Sequence, residues 1–259
     1  MKIVVKVGTS TLTHTTGRLN IRRVESLCKV LSDIKNEGHD LILVSSGAIG
    51  LGVGKLNLSE KPEDMASKQA AAAIGQCELM YFYDKQFMNY NHIISQILIT
   101  SMDFENEISR QNFQNTLNRL LEYGVIPVVN ENDTIVTDEI SVGDNDTLGA
   151  IVATTVGADL LIILSDIDGF YTADPRKDKT ARIIDLVEEI TPEICQLAGE
   201  EGTRLGTGGM VTKIHAADIV MKEGIPMVLA SGKDPENLYR ILDGEKVGTL
   251  FKTTKDSID

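Results

Sequence analysis

Runs of apolar residues recur along the chain: KIVVKV (2–7), DLILVS (40–45), HIISQILI (92–99), VIPVVN (125–130), DLLIIL (159–164) and IPMVLA (225–230). Each is short, rich in Ile, Val and Leu, and nearly continuous, the pattern of a strand covered on both faces. Between them the period changes. Over 21–37, Ile21, Val24, Leu27, Cys28, Leu31 and Ile34 fall on one helical face, and Gly38 stands where a left-handed cap belongs. Residues 66–80 are alanine-rich; helical patterns over 110–123 and 146–157 end at Gly124 and Gly157, and another runs from Ile214 to Glu223. Strand alternating with helix predicts an α/β fold, a three-layer sandwich with a mostly parallel central sheet between helix layers. The alternation spans 1–259 without a Pro- or Ser-rich linker, which predicts one domain.

The strands lead into small and polar residues: GTS, SSGAIG, NEND, SD and SG. In an open parallel sheet ligands bind beyond the carboxyl ends of the strands, so that edge is the expected site. Ordinary loops explain each stretch singly, but less well the concentration of Gly, Ser, Asn and Asp in all of them.

Charge narrows the choice of ligand. The chain has 25 Lys and Arg against 38 Asp and Glu, a net charge of −13, which argues against nucleic acid as a partner. An anionic substrate must then be held by a few placed cations and backbone dipoles. The apolar runs fall short of the roughly 18 residues of a membrane helix, no secretory leader pattern is present, and the cysteines (Cys28, Cys77, Cys195) lack a CxxC. These read as a cytoplasmic protein with reduced, mostly buried thiols. The histidines show no metal spacing.

Candidate chemistry gathers at particular residues. Lys6 lies inside an apolar strand, where an ammonium is paired with an anion or reaches out to water; Gly8 comes two residues later. Ser45, Ser46 and Gly47 offer hydroxyls and amides at a strand-to-helix turn. GLGVG (50–54) does not complete a dinucleotide fingerprint. NEND (130–133) and GDND (143–146) are solvated turns, or they bind an amine and hold a lysine; Asp146 also suits a plain N-cap. GTGGMVTK (206–213) is not a Walker A loop, but its bare amides and Lys213 at a helix start suit phosphate oxygens.

KVGTS (6–10), SSGAIG (45–50), NEND, GDND, SDIDGFYTADPR (165–176) and GTGGMVTK occur together and in order. The set, spread over nearly the whole chain, resembles the amino-acid kinase family, and within it the branch that phosphorylates glutamate. Many members of that branch carry a further C-terminal PUA domain, for which residues 1–259 leave no room. The resemblance implies the amino-acid kinase fold and ATP-dependent phosphorylation of the γ-carboxylate of L-glutamate, the first step towards proline. It implies Lys6 and Lys213 on the transferring phosphoryl group with Asp146 holding them, and Ser46, Gly47, Asp133 and Asn145 on glutamate. Around ATP it implies Lys6, Gly8, Ser165, Asp166, Thr207, Gly208, Gly209, Met210 and Lys213. Mg²⁺ comes with the ATP phosphates rather than from protein ligands. A cytoplasmic homo-oligomer, dimer or tetramer, and proline as feedback inhibitor complete the expectation. The alternatives are a sister kinase for N-acetylglutamate or aspartate, or a non-catalytic module binding an amino acid or nucleotide. The chemistry is consistent with a kinase: a glutamate carboxylate, with an ordinary pKa of about 4.3, needs no general base, only charge neutralisation and alignment.

Overall fold

Alternate residues of strand β1 (Lys2–Val7) face opposite sides. Ile3, Val5 and Val7 join one hydrophobic cluster and Val4 the other. A strand sandwiched in this way reads as an unbroken apolar run, and the rest of the fold is built around that burial. In the computed structural model, which describes residues 1–14, 16–135, 145–199 and 209–253 apart from the Ser101 side chain, β1 leads through α1 (Thr9–Leu12) and α2 (Ile21–Asn36) to β2 (Asp40–Ser45). Then come α3 (Ala48–Lys55), α4 (Met65–Met88), β3 (Ile94–Ile99), α5 (Ser101–Glu105), α6 (Glu107–Glu122) and β4 (Ile126–Glu131). The second half holds α7 (Asn145–Val156), β5 (Leu160–Ser165), β6 (Leu186–Val187), α8 (Pro192–Ala198) and α9 (Met210–Lys222). It closes with β7 (Met227–Ser231), α10 (Asn237–Leu242) and β8 (Thr249–Phe251).

The strands form one sheet in the order β3-β4-β2-β1-β5-β7-β8-β6, parallel except between β7 and β8. One face is covered by α6, α7 and α9, through residues such as Phe113, Leu117, Val152 and Ala217. The other is covered by α2, α4 and α10, through Leu27, Leu31, Tyr83, Phe87 and Leu238. This is the expected three-layer sandwich. The chain builds β2, β3 and β4 on one side of β1 and β5 and β7 on the other. The strand order therefore turns about β1, whose carboxyl end is the place where an open sheet offers a ligand site.

Several boundaries differ from the sequence reading. Helix α4 runs on to Met88, well past the alanine-rich stretch, because Leu79, Tyr83 and Phe87 continue the buried face at four-residue spacing. Helix α9 begins at Met210, with Gly209 as its N-cap. The short β6 and β8 have no long apolar run and were not expected. Cys28 is buried, and burial pushes its thiol pKa well up, but Cys77 and Cys195 are exposed, so the expectation of mostly buried thiols is corrected. GLGVG is a packing surface: a Cβ on Gly52 would lie 1.8 Å from the Ala71 carbonyl oxygen, and one on Gly54 would lie 2.7 Å from that of Gly17. Gly75 of α4 returns the contact, since a Cβ there would stand 1.7 Å from the Ala48 carbonyl oxygen. Helices α3 and α4 thus meet backbone to backbone, which fixes the turn that precedes α3. Gly232, in the SG after β7, is a packing glycine too, pressed on Thr11. No helix among the described residues is long and apolar enough to cross a membrane.

Candidate active site

Lys6 obeys the alternation of β1 and faces the α7 layer, where Gly149 leaves room for its stem: a Cβ there would be 3.4 Å from Lys6 Cβ. The ammonium is buried and paired, not snorkelling. Its Nζ lies 2.6 Å from Asp146 Oδ1. Asp146 sits in the first turn of α7, just inside the helix, and is fully buried. Its other oxygen, Oδ2, accepts from Lys213 Nζ at 2.9 Å and from Thr212 Oγ1 at 3.1 Å. Lys213, in the first turn of α9, is as buried as Lys6, each 5% exposed. Residues from opposite ends of the chain therefore meet on one carboxylate.

Burial by itself pushes the Asp146 carboxyl up. The two ammoniums and their hydrogen bonds outweigh it and hold the group well below the usual carboxylate range. Two buried cations thus meet on one carboxylate among the described residues. A pair of ammoniums held side by side suits a phosphate rather than a neutral ligand. The glycines add space. A Cβ at Gly8 would stand 3.6 Å from Lys6 Nζ, and one at Gly209 would meet nothing within 4 Å. Met210 is half-buried against the core beneath.

Beside this centre lies a polar cluster. Gly47 adopts φ of 105°, a left-handed conformation that glycine takes without strain, and the turn it makes places Ser46 N–H on the Val7 carbonyl at 3.1 Å. Asn145 Nδ2 donates to Ser46 Oγ at 2.7 Å and to Asn130 Oδ1 at 3.0 Å. Asn130 and Glu131 are the buried end of β4, and Asp133 lies just beyond them. Burial raises the Asp133 pKa from 3.8 to about 6, against the pull of Lys61. Lys61, in the segment between α3 and α4, thus brings a cation towards Asp133. Ala48, Gln76, Glu131 and Asp133 line one narrow crevice.

Ser165 ends β5 on the same edge, next to Leu164, whose carbonyl accepts from Gly8 N–H at 3.4 Å. Its Oγ donates to Asp166 Oδ1 at 3.2 Å, and exposed Asp166 faces Arg176 at 3.7 Å. Thr207 and Gly208, with Gly143 and Asp144 of GDND, lie outside the described residues. The sequence reading missed the buried amide Gln76, and it took NEND and GTGGMVTK as clusters without giving Thr212 or the buried Asn130 a role. A glutamine inside the alanine-rich, otherwise apolar AAAAIGQC was the available signal for Gln76. Among the described residues no group of three or more His, Cys, Asp or Glu stands ready to hold a metal.

A mostly parallel sheet with two paired lysines at its switch point is the architecture of an α/β protein built to hold an anion such as phosphate. The sequence profile of the amino acid kinase family matches residues 1–231. A glutamate 5-kinase of Clostridium perfringens (strain 13 / Type A) is 55% identical over 98% of this chain and 96% of its own length. One of Caldanaerobacter subterraneus subsp. tengcongensis is 52% identical over 100% of this chain and 69% of its own length. In three dimensions the chain resembles the isopentenyl phosphate kinase of T. acidophilum, with a TM-score of 0.68 at 16% identity over 97% of this chain and 100% of that one. At that identity the likeness speaks for the fold alone. The chain belongs to the amino acid kinase family, and within it to the glutamate 5-kinases.

Proposed function

We propose that the chain transfers the γ-phosphoryl group of ATP to the γ-carboxylate of L-glutamate, giving L-glutamyl 5-phosphate and ADP on the way to proline. The observation that carries the reading is the Lys6–Asp146–Lys213 centre, placed beside the Ser46–Asn145 cluster.

A carboxylate oxygen of glutamate forms the new bond to Pγ as the bond from Pγ to the bridging oxygen of ADP breaks. No proton moves, because the acceptor is already ionised at neutral pH. The obstacle is repulsion between two anions, and the remedy is positive charge placed in advance where negative charge gathers. Lys6 and Lys213 supply it. Asp146 holds both ammoniums in place, sharing its two oxygens between them. Ser46, the Gly47 turn and Asn145 hold the amino acid, with the Asp133 carboxylate on its ammonium. Gly8, Ser165, Asp166, Gly209, Met210 and Lys213 surround the nucleotide. Magnesium fits this site as an ion carried by the ATP phosphates, since the Asp146 oxygens are already committed to lysines; once there it adds charge neutralisation on phosphate oxygens. A cytoplasmic homo-oligomer under feedback control by proline accompanies the reading.

Hydroxylamine trapping tests it. With ATP, magnesium and glutamate the protein should yield γ-glutamyl hydroxamate. Hydroxamate from N-acetylglutamate or aspartate and none from glutamate refutes the substrate. No product from any acceptor, with nucleotide still bound, favours the non-catalytic module.

A further inference from the structure

Asn145 directs its amide nitrogen to the Ser46 hydroxyl, the Ser45 carbonyl (3.4 Å) and Asn130 Oδ1. Its carbonyl oxygen is buried and has no hydrogen-bond partner among the described residues. A buried acceptor left unmatched costs about 1–3 kcal/mol, so the site is short of one donor. Which end of the Asn145 amide is left over depends on what Asn130 presents to it. An asparagine side chain can stand either way round, and one backbone group removes that freedom here. Glu131 N–H points at the Asn130 side chain, 2.9 Å from Oδ1, and a backbone N–H only donates. That atom of Asn130 is therefore the oxygen. Its Nδ2 is then turned onto Gln76 Oε1 at 2.9 Å, and Gln76 Nε2 onto Gln96 Oε1 of β3 at 3.2 Å. The bonds run in one direction from the backbone of β4 through α4 to β3, and each fixes the sense of the next.

We propose that Gln76 and Asn130 are positioning residues that set the polarity of the amino-acid site, so that Asn145 offers its carbonyl oxygen to an N–H donor on the substrate. The proposal rests on the glutamate reading and deepens it. Asp133 answers the charge of the ammonium; Asn145 Oδ1 answers its hydrogen bond, and stays aligned to do so only while Gln76 anchors Asn130, whose sense the Glu131 N–H has set. A dicarboxylate of the same length without the amino group, glutarate, has nothing to give that oxygen.

The test is steady-state kinetics on Gln76→Met, which keeps the volume of the side chain and removes its acceptor and donor. KM for glutamate should rise about tenfold, with kcat and KM for ATP within about twofold, because only the amino-acid site loses its alignment. Turnover of glutarate should change little. In an Asn145→Ala background the same substitution should add almost nothing, since Gln76 acts through Asn145. Equal losses on glutamate and glutarate, or additive losses in the double variant, overturn the proposal. Gln96→Leu, at an exposed position and safe for folding, should raise the glutamate KM by about twofold to threefold; an unchanged value overturns the relay even where Gln76→Met fails to fold. Wild-type protein that makes no hydroxamate from glutamate overturns the function and the relay together. Active wild-type protein whose variants behave like it overturns the relay alone.

Discussion

Replacing Asp146 by Asn removes one negative charge from between two buried ammoniums. In the native protein both oxygens are engaged, at 2.6 Å by Lys6 and 2.9 Å by Lys213, and none of these residues is more than 5% exposed. Removing one member of a buried charge group costs about 3–5 kcal/mol, because the remaining charges lose their counter-ion without regaining water. For a chain of this size about 1 kcal/mol moves the melting temperature by about 2–4 °C, so a fall on the order of 10 °C is expected. The nucleotide gives the effect a signature. Its polyphosphate becomes the missing anion, so ATP should raise the melting temperature of Asp146→Asn more than that of the wild type. Turnover should drop by about 100-fold or more, since the ammoniums lose the group that aligns them. The sign with pH is fixed as well. A carboxyl held below its unfolded value contributes its full stability above that value and loses it as pH falls through the folded one. The difference between wild type and variant should therefore persist from neutral pH well into acid. Thermal unfolding with and without ATP, beside kcat, decides the matter. A variant that melts with the wild type and keeps its turnover refutes the idea that this carboxylate organises the lysines.

Asp133 should show the opposite linkage: burial lifts its pKa from 3.8 to about 6, so the folded state is penalised increasingly as pH rises from about 4 to 6 and by a constant amount above. Asp133→Asn should then stabilise the ligand-free protein at neutral pH by about 1–3 kcal/mol while weakening glutamate binding, and wild-type affinity for glutamate should decline as pH falls through about 6; a destabilised variant with unchanged glutamate KM contradicts this. Gly75→Ala forces a Cβ to within 1.7 Å of the Ala48 carbonyl oxygen; it should cost about 1–3 kcal/mol and, because α3 carries the Gly47 turn, raise the glutamate KM more than that for ATP. Denaturant melts and paired Michaelis curves check it, and an equal change in both KM values would count against the α3 route.

How legible all this was in the sequence depends on the physics behind each feature. The strands of the sheet centre were legible because burial on both faces writes an unbroken run of Ile, Val and Leu. β6 and β8 were not, being too short to carry a pattern and held by neighbours distant in sequence. The glycines of GLGVG have no local signature of their purpose, which is the closeness of α4. Lys6 could be read either as paired or as snorkelling; only the position of α7 over β1 decides it. Ser46, Asp133 and Asn145 were named through resemblance, and the structure brings Ser46 and Asn145 into direct contact. The Gln76–Asn130 chain was out of reach, because its sense depends on one backbone N–H meeting one side-chain oxygen.

The account stands most directly on ADP release measured with glutamate, N-acetylglutamate, aspartate and UMP in turn, for the wild type and for Lys213→Ala. It predicts release with glutamate alone, and a loss of about 1,000-fold in the variant while the fold persists. Release driven by another of these acceptors, or a variant that turns over glutamate like the wild type, contradicts it.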